Sequence, residues 1–477
     1  MMANHPVIGW ESELPVPEGH RFNRYLHVRH GRLHLEDLDL ASVFTAETPA
    51  PQPLPSPLEI VYLPLIRRQI AAMNQMFAEV MQEVGYDGRF YYTYASKANA
   101  AEEVIRTTLG AGAHHEMSST VDVDIAQIMI RRGLLPPDRL IVCNGFKTAG
   151  SPYAANILQL RQVHQNVIPV IEDMGELSPL ITSGHTFEVG LRMKSYGHHA
   201  SETEMRVANS RFGLSLDDIW KAADYIAAAP NLNLVMYHNM VGSQITDPEA
   251  FVNWLKPGIE VYARLRQRHP SLHIFNFGGG MPVGMTLDFD FDYHDFGRRF
   301  LRALQESCRR YNVPTPDVMG EYGRYTTSEH GAHLFSVITA KDNDSKLPWY
   351  IIDGSIMSSF PDSWALGEHF IVLPLNHLDK PFQQVQLGGI TCDSDDVYPP
   401  KPSQSPLYLP VETEGLMIGF FSVGAYQEML GGVRGSKHCV LPEAYELVID
   451  RVDETYHFQI LHGQTPDDVL HNLGYQM

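Results

Sequence analysis

The sequence predicts an α/β chain: a (β/α)8 TIM barrel followed by a C-terminal β-rich domain of barrel or sandwich type. Three observations lead there. Short apolar runs that read as strands end near Lys97, Met117, Asn144, Glu172, Arg192, His238, Phe277 and Glu321. Helical stretches, such as 120–132, 215–229 and 293–311, separate most of them. Beyond about residue 330 helical periodicity becomes rare and turn residues frequent. Eight strands alternating with helices suit a closed barrel, although an open doubly wound sheet has the same periodicity.

The elements follow in order. Residues 26–40 alternate apolar and polar around a His-Gly turn and read as strands. The proline-rich stretch 47–57 reads as a linker. Residues 1–57 are therefore expected to form N-terminal strands and a linker packing on the β-rich domain, with the barrel over 58–330 and the β-rich domain over 331–477. Ile66, Ile70, Met73, Phe77, Val80 and Val84 recur at helical spacing. Ser215 suits a helix N-cap, with Asp217 and Asp218 placed for the helix dipole. In the last third, 332–340, 349–353 and 370–373 read as strands and 399–406 as turns.

Composition narrows the function classes. Thirty-six basic residues stand against 56 acidic ones, a formal net charge of −20. So acidic a surface argues against nucleic-acid or anionic-membrane partners. No apolar run is long enough to cross a bilayer, and the first ten residues do not read as a signal peptide. The four cysteines, Cys143, Cys308, Cys392 and Cys439, match neither a zinc nor a disulfide spacing, so a reducing, cytoplasmic setting is expected. The pairs His114–His115 and His198–His199 read as exposed loop histidines, and no metal site is expected.

Four strand-end or loop motifs carry chemistry. In Tyr94-Ala95-Ser96-Lys97-Ala98-Asn99 a lysine closes a strand, where a barrel gathers its reactive groups and where partial desolvation makes an amine nucleophilic. Phe277-Gly278-Gly279-Gly280-Met281-Pro282 lets backbone N–H groups approach an anion. Gly320-Glu321-Tyr322-Gly323-Arg324-Tyr325 combines a carboxylate, flexible backbone and guanidinium, which suits a phosphorylated heterocycle. Cys392-Asp393-Ser394-Asp395 sets a thiol beside carboxylates that keep it protonated and able to donate. Each motif alone is common; a strand-end lysine, a glycine turn and a surface Glu–Arg pair are ordinary features.

Together and in order they resemble the alanine-racemase-like pyridoxal-phosphate decarboxylases, which include ornithine, diaminopimelate and biosynthetic arginine decarboxylases. The resemblance runs from about Arg89 to about Leu430 and is nearest to the arginine enzymes, through 141–147, 210–214, 360–364, 372–375, 390–395 and 419–430. It implies pyridoxal 5'-phosphate as cofactor, bonded to Lys97, with Glu321 facing the pyridine nitrogen. It assigns Gly279, Gly280, Gly323, Arg324 and Ser243 to the phosphate, Tyr426 to the phosphate from the C-terminal domain, and Arg192 to the cofactor's surroundings. Glu116 and Ser118 fall at a strand end with no firm role. Cys392 matches a cysteine that a second subunit inserts as proton donor, which implies a homodimer with shared sites. Asp353, Asp393 and Asp395 resemble residues that meet the cationic end of a basic amino acid.

One position departs. Where the family has a histidine stacked on the cofactor, this chain has Met240, and His238 lies two residues earlier on the same strand face. The chain also lacks the long insertion and C-terminal extension of typical bacterial arginine decarboxylases. The reaction expected is decarboxylation of a basic amino acid, arginine to agmatine and CO2, in polyamine-type metabolism. The alternatives are another or modified amino acid on the same fold, or a catalytically silent regulator, against which the retention of Lys97, Glu321 and Cys392 argues.

Overall fold

Aromatic and β-branched runs such as Phe90-Tyr91-Tyr92-Thr93-Tyr94 and Val167-Ile168-Pro169-Val170-Ile171 are suited to strands buried on both faces. The structure, a computed structural model, describes residues 5–194, 210–343, 346–401, 405–435 and 437–476. The eight barrel strands are β1 (Phe90–Ala95), β2 (His114–Met117), β3 (Ile141–Cys143), β4 (Val167–Ile171), β5 (Phe187–Arg192), β6 (Leu232–His238), β7 (Ile274–Asn276) and β8 (Asp317–Tyr322). Each pairs in parallel with its sequence neighbours, and β8 pairs with β1, closing the barrel. Closure excludes the open sheet, and the strands end within two residues of the positions expected from sequence. Val142, Ile168, Val170, Val235, Met236, Ile274 and Met319 fill the interior. Gly190 on β5 makes room there: a Cβ would come within 3.2 Å of Val170 and 3.3 Å of Met236.

Helices cover the outside. Leu216–Ala228 starts at Ser215, whose hydroxyl accepts from the Asp218 N–H at 3.2 Å. Tyr293–Arg310 buries Phe296, Phe300, Leu301 and Leu304. His114 and His115 depart from their expected loop, since they open β2. His115 is buried, and His114 Nδ1 accepts from the Leu140 N–H at 2.9 Å. His198 and His199 lie outside the described residues.

The chain folds as two units, the barrel from Arg67–Pro282 and Asp290–Thr326, and a β-rich unit from Met1–Ile66, Val283–Phe289 and Thr327–Met477. In the β-rich unit the long strand Gly331–Asn343 pairs antiparallel with Lys346–Ile352, Met417–Phe421 and Leu58–Tyr62. Leu58–Tyr62 also pairs in parallel with Tyr445–Val452. Thus a segment expected to open the barrel domain is a central strand of the other unit. The stretch read as a linker is likewise packed: Ala50 and Leu54 are buried in this unit's core, and the Leu54 N–H donates to Val43 O at 3.0 Å. A second core mixes aliphatic and aromatic side chains, with Phe360 stacked on Phe420 at 4.4 Å between centroids. No helix among the described residues is long and apolar enough to cross a membrane.

Candidate active site

Parallel strands deliver their last residues to one end of the barrel, where the backbone opens into loops and side chains converge. Lys97 sits on the single helical turn Ser96–Ala98 just after β1, half exposed, with Nζ 3.5 Å from Oε2 of Glu116 at the end of β2. Glu116 is fully buried, as is Glu321 on β8 apart from a sliver. One amide joins the two: Asn144 Nδ2, just past β3, donates to Glu116 Oε1 and Glu321 Oε2, both at 2.9 Å. Asn276 Nδ2, at the end of β7, donates to the other Glu321 oxygen at 2.7 Å. Burial pushes both carboxyls up from the ordinary range, and the Lys97 charge works against that rise.

A second charged group flanks the first. Arg192 at the end of β5 donates to Glu172 Oε2 at 3.0 Å, and Glu172 Oε1 accepts the Gly145 N–H at 2.8 Å. Burial alone would raise Glu172, but Arg192, Lys147 and that N–H together hold it below its usual value. Lys147 is itself buried against Glu176 at 3.2 Å. His238 ends β6 with Nε2 3.8 Å from Glu321 Oε2. Burial, reinforced by the Arg192 charge, depresses its pKa strongly, so the ring is neutral, and both ring nitrogens are buried without a hydrogen-bond partner.

The glycine loop lies against the same strand end. A Cβ on Gly278, whose φ is +70°, would come within 2.7 Å of Met240 Sδ and 3.1 Å of His238 Nε2, so both side chains face the loop, as strand alternation requires. The Gly279 N–H donates to Met240 Sδ at 3.2 Å. A Cβ on Gly279 would meet Glu321 O at 2.7 Å, and one on Gly280 would collide with Gly242 O. Exposed Ser243 follows Gly242, and the Gly323 carbonyl accepts the Thr326 N–H as Arg324 begins a one-turn helix.

The sequence model for the pyridoxal-dependent decarboxylases, pyridoxal binding domain, matches residues 65–328, more than half of the chain. The chain belongs to this family. Among its relatives, a biosynthetic arginine decarboxylase of Proteus mirabilis is 21% identical, over 77% of this chain and 76% of that one. Another, of Alkalilimnicola ehrlichii, is 24% identical over 91% and 86%. The crystal structure of the biosynthetic arginine decarboxylase of Campylobacter jejuni superposes with a TM-score of 0.81 at 20% identity, covering 95% of this chain and 89% of that one. A diaminopimelate decarboxylase from M. jannaschii gives 0.77 at 19% identity, covering 94% and 98%. At such identities the solved structures speak to the fold, which is shared throughout.

As a pyridoxal-dependent decarboxylase the chain takes pyridoxal phosphate, and the barrel residues fit it. Glu321 is a buried carboxylate held by two neutral amides, the environment in which a ring N–H cation is stabilised. The glycine cradle has no room for side chains, and His238 carries two unsatisfied buried nitrogens. From the sequence Asn144 and Glu172 read only as strand ends, with no part in the site, and Asn276 does not stand out. The available signal was an Asn or Glu closing three strands, but an Asn beside a Gly reads first as a turn.

The remaining candidates lie on the β-rich unit. Cys392 is exposed, its Sγ 3.7 Å from Cys439 Sγ. The contact with Cys439 is the main reason its thiol pKa is raised, and Asp393 contributes least, the reverse of the weighting the sequence suggests. The Asp395 N–H donates to Asp393 Oδ1 at 2.9 Å. The loop hangs on one unpredicted residue, buried Asp396. Its Oδ1 accepts from Ser355 Oγ (3.2 Å) and the Met357 N–H (3.0 Å), and its Oδ2 from Thr391 Oγ1 (2.6 Å). Asp353 accepts the Ser336 N–H at 3.0 Å and lines a cavity of about 260 Å³ with Glu59, His333 and Lys437, and burial raises its pKa. Tyr426 precedes the helix Gln427–Gly431, and buried Gln427 clamps Asp362 at 2.9 Å, joining two of the family-like stretches.

Proposed function

We propose that this chain decarboxylates a basic amino acid, converting L-arginine to agmatine and carbon dioxide. The observation that carries the reading is the buried set Glu116, Asn144, Glu321 and Asn276 beside Lys97. When bound, pyridoxal phosphate supplies an electron sink for the pair released as the Cα–carboxylate bond breaks. Lys97 would hold the cofactor covalently, and Glu116 keeps the lysine head positioned. Glu321, fixed by the two amides, orients the ring nitrogen and holds its proton. Gly279, Gly280, Ser243, Gly323, Arg324 and Tyr426 anchor the phosphate. Arg192, tied to Glu172, and neutral His238 would help to hold the cofactor, with Met240 in the place of the family's histidine. Substrate selection falls to Asp353, Asp393 and Asp395, whose carboxylates would meet a guanidinium. Cys392 of a second copy of the chain, its hydrogen held at Sγ, returns the proton to Cα, so the working form is a homodimer.

The substrate follows the relatives, several of which are named biosynthetic arginine decarboxylases. Met240 motivates a second reading, in which the same chemistry acts on a different or modified amino acid. Mass spectrometry of products after incubation with pyridoxal phosphate and arginine, ornithine, lysine or diaminopimelate separates the two. Agmatine from arginine, lost in Lys97→Ala, supports the first. An amine from another of the four supports the second, and no amine from any of them counts against the first.

A further inference from the structure

Cys392 and Cys439 are 47 residues apart in sequence, yet two surface loops bring their sulfurs to 3.7 Å. His438 joins them, and the three ligand atoms all lie within 4.8 Å of one another. Asp393 Oδ2 is 3.7 Å from His438 Nε2. We propose that Cys392, Cys439 and His438 form a three-ligand site for a divalent cation such as Zn2+.

The distances favour a shared ion over a direct bond. Two thiolates at about 2.3 Å from a tetrahedral zinc stand about 3.8 Å apart. A disulfide needs its sulfurs at about 2.05 Å. Two sulfurs and an imidazole also match the donor preferences of zinc and cobalt(II) better than those of magnesium or calcium. All three ligands are exposed in the single chain, so an ion reaches them without any opening of that chain's fold. The Cys392 loop is pinned by Asp396, so one side of the site is preformed. On the other side Cys439 and Val440 are held at φ +55° and +59°, a conformation costly for a β-branched residue. Binding releases the two thiol protons to water and leaves two thiolates on the ion.

The site bears on regulation if the function proposed above holds. If Cys392 is the proton donor, a metal-bound Cys392 has no proton to give and is tied to its own loop. Occupancy then switches catalysis off, and a chelator restores it.

The test uses the full-length holoenzyme, stripped with a chelator and kept in a phosphine reductant. Cobalt(II) chloride is the probe, because tetrahedral thiolate coordination gives visible d–d bands away from cofactor absorption. One equivalent should produce these bands, and zinc chloride should displace them. Cys439→Ser and His438→Ala should each weaken binding by at least about ten-fold. Cys439→Ser should keep metal-free decarboxylation within about two-fold and lose zinc inhibition. Absence of the bands in reduced protein, or an unchanged titration in Cys439→Ser, overturns the site. Equal zinc inhibition of wild type and Cys439→Ser overturns the switch. Lys97→Ala keeps the cobalt bands whether or not the enzyme decarboxylates arginine, which separates failure of this site from failure of the proposed reaction.

Discussion

The barrel mouth and the Cys392 loop solve opposite problems. At the mouth, two carboxylates are buried, and each buried charge has its donors arranged around it: Asn144 bridges both, Asn276 takes the free oxygen of one, and Lys97 faces the other. The Cys392 loop keeps its chemistry in water and buries its anchor, Asp396, instead. In the first region the reactive groups are themselves structural, so altering one disturbs both stability and chemistry. In the second the thiol is placed by another residue, and the two properties separate.

Substitutions can break that contrast, and the largest effect is expected at Lys97. Lys97→Ala should lower the rate of agmatine formation by at least about 10³-fold and abolish the visible absorbance of lysine-bound cofactor, as read by product assay and spectrophotometry. Asp396→Ala should reduce kcat by about 10²-fold through misplacement of the Cys392 loop. Cofactor absorbance and binding should stay as in the wild type, since the Asp396 side chain holds only Ser355, Met357 and Thr391. Equal losses of cofactor binding and kcat would erase the distinction.

Asn276→Ala should leave one oxygen of buried Glu321 without its donor. Chemical denaturation should show a loss of about 1–3 kcal/mol, accompanied by weaker cofactor binding. Acid should then test both regions together. His330 in the β-rich unit has its pKa lowered to about 4 and His333 to about 3, each mainly by burial, and His238 in the barrel is lowered for the same reason. These folded-state values lie below the unfolded 6.5, so the stability they contribute is fully present above pH 6.5 and is lost as pH falls from 6.5 toward 4. The unfolding midpoint should drop over that window, and His333→Gln should flatten the drop. The smallest effect is expected for Met240→Ala. Removing a thioether contact should weaken cofactor binding by no more than about ten-fold, measured by titration of the apoenzyme.

The sequence carried the barrel well because parallel strands buried on both faces leave dense apolar runs, and their ends coincide with the chemical motifs at Lys97, Arg192, His238 and Glu321. The amide clamp was hidden. Asn144 meets a carboxylate 177 residues away, and no local pattern encodes such a pairing. His114 and His115 were misread because two polar rings side by side lack strand alternation, although β2 buries one of them. The Cys392–Cys439 approach escaped spacing rules because zinc signatures assume ligands supplied by short local turns. Leu58–Tyr62 was assigned to the wrong unit because a buried apolar run does not reveal which sheet receives it.

That strand has a bearing on how the protein is made. Leu58–Tyr62 leaves the ribosome early, but its partners Gly331–Asn343 and Tyr445–Val452 follow only after the whole barrel has been synthesised. Throughout that interval an apolar strand waits with open edges, the kind of segment that invites mispairing between nascent chains. A chain halted before Tyr445 never covers one of those edges. Premature stop codons late in the message should therefore yield aggregates rather than a trimmed but serviceable protein.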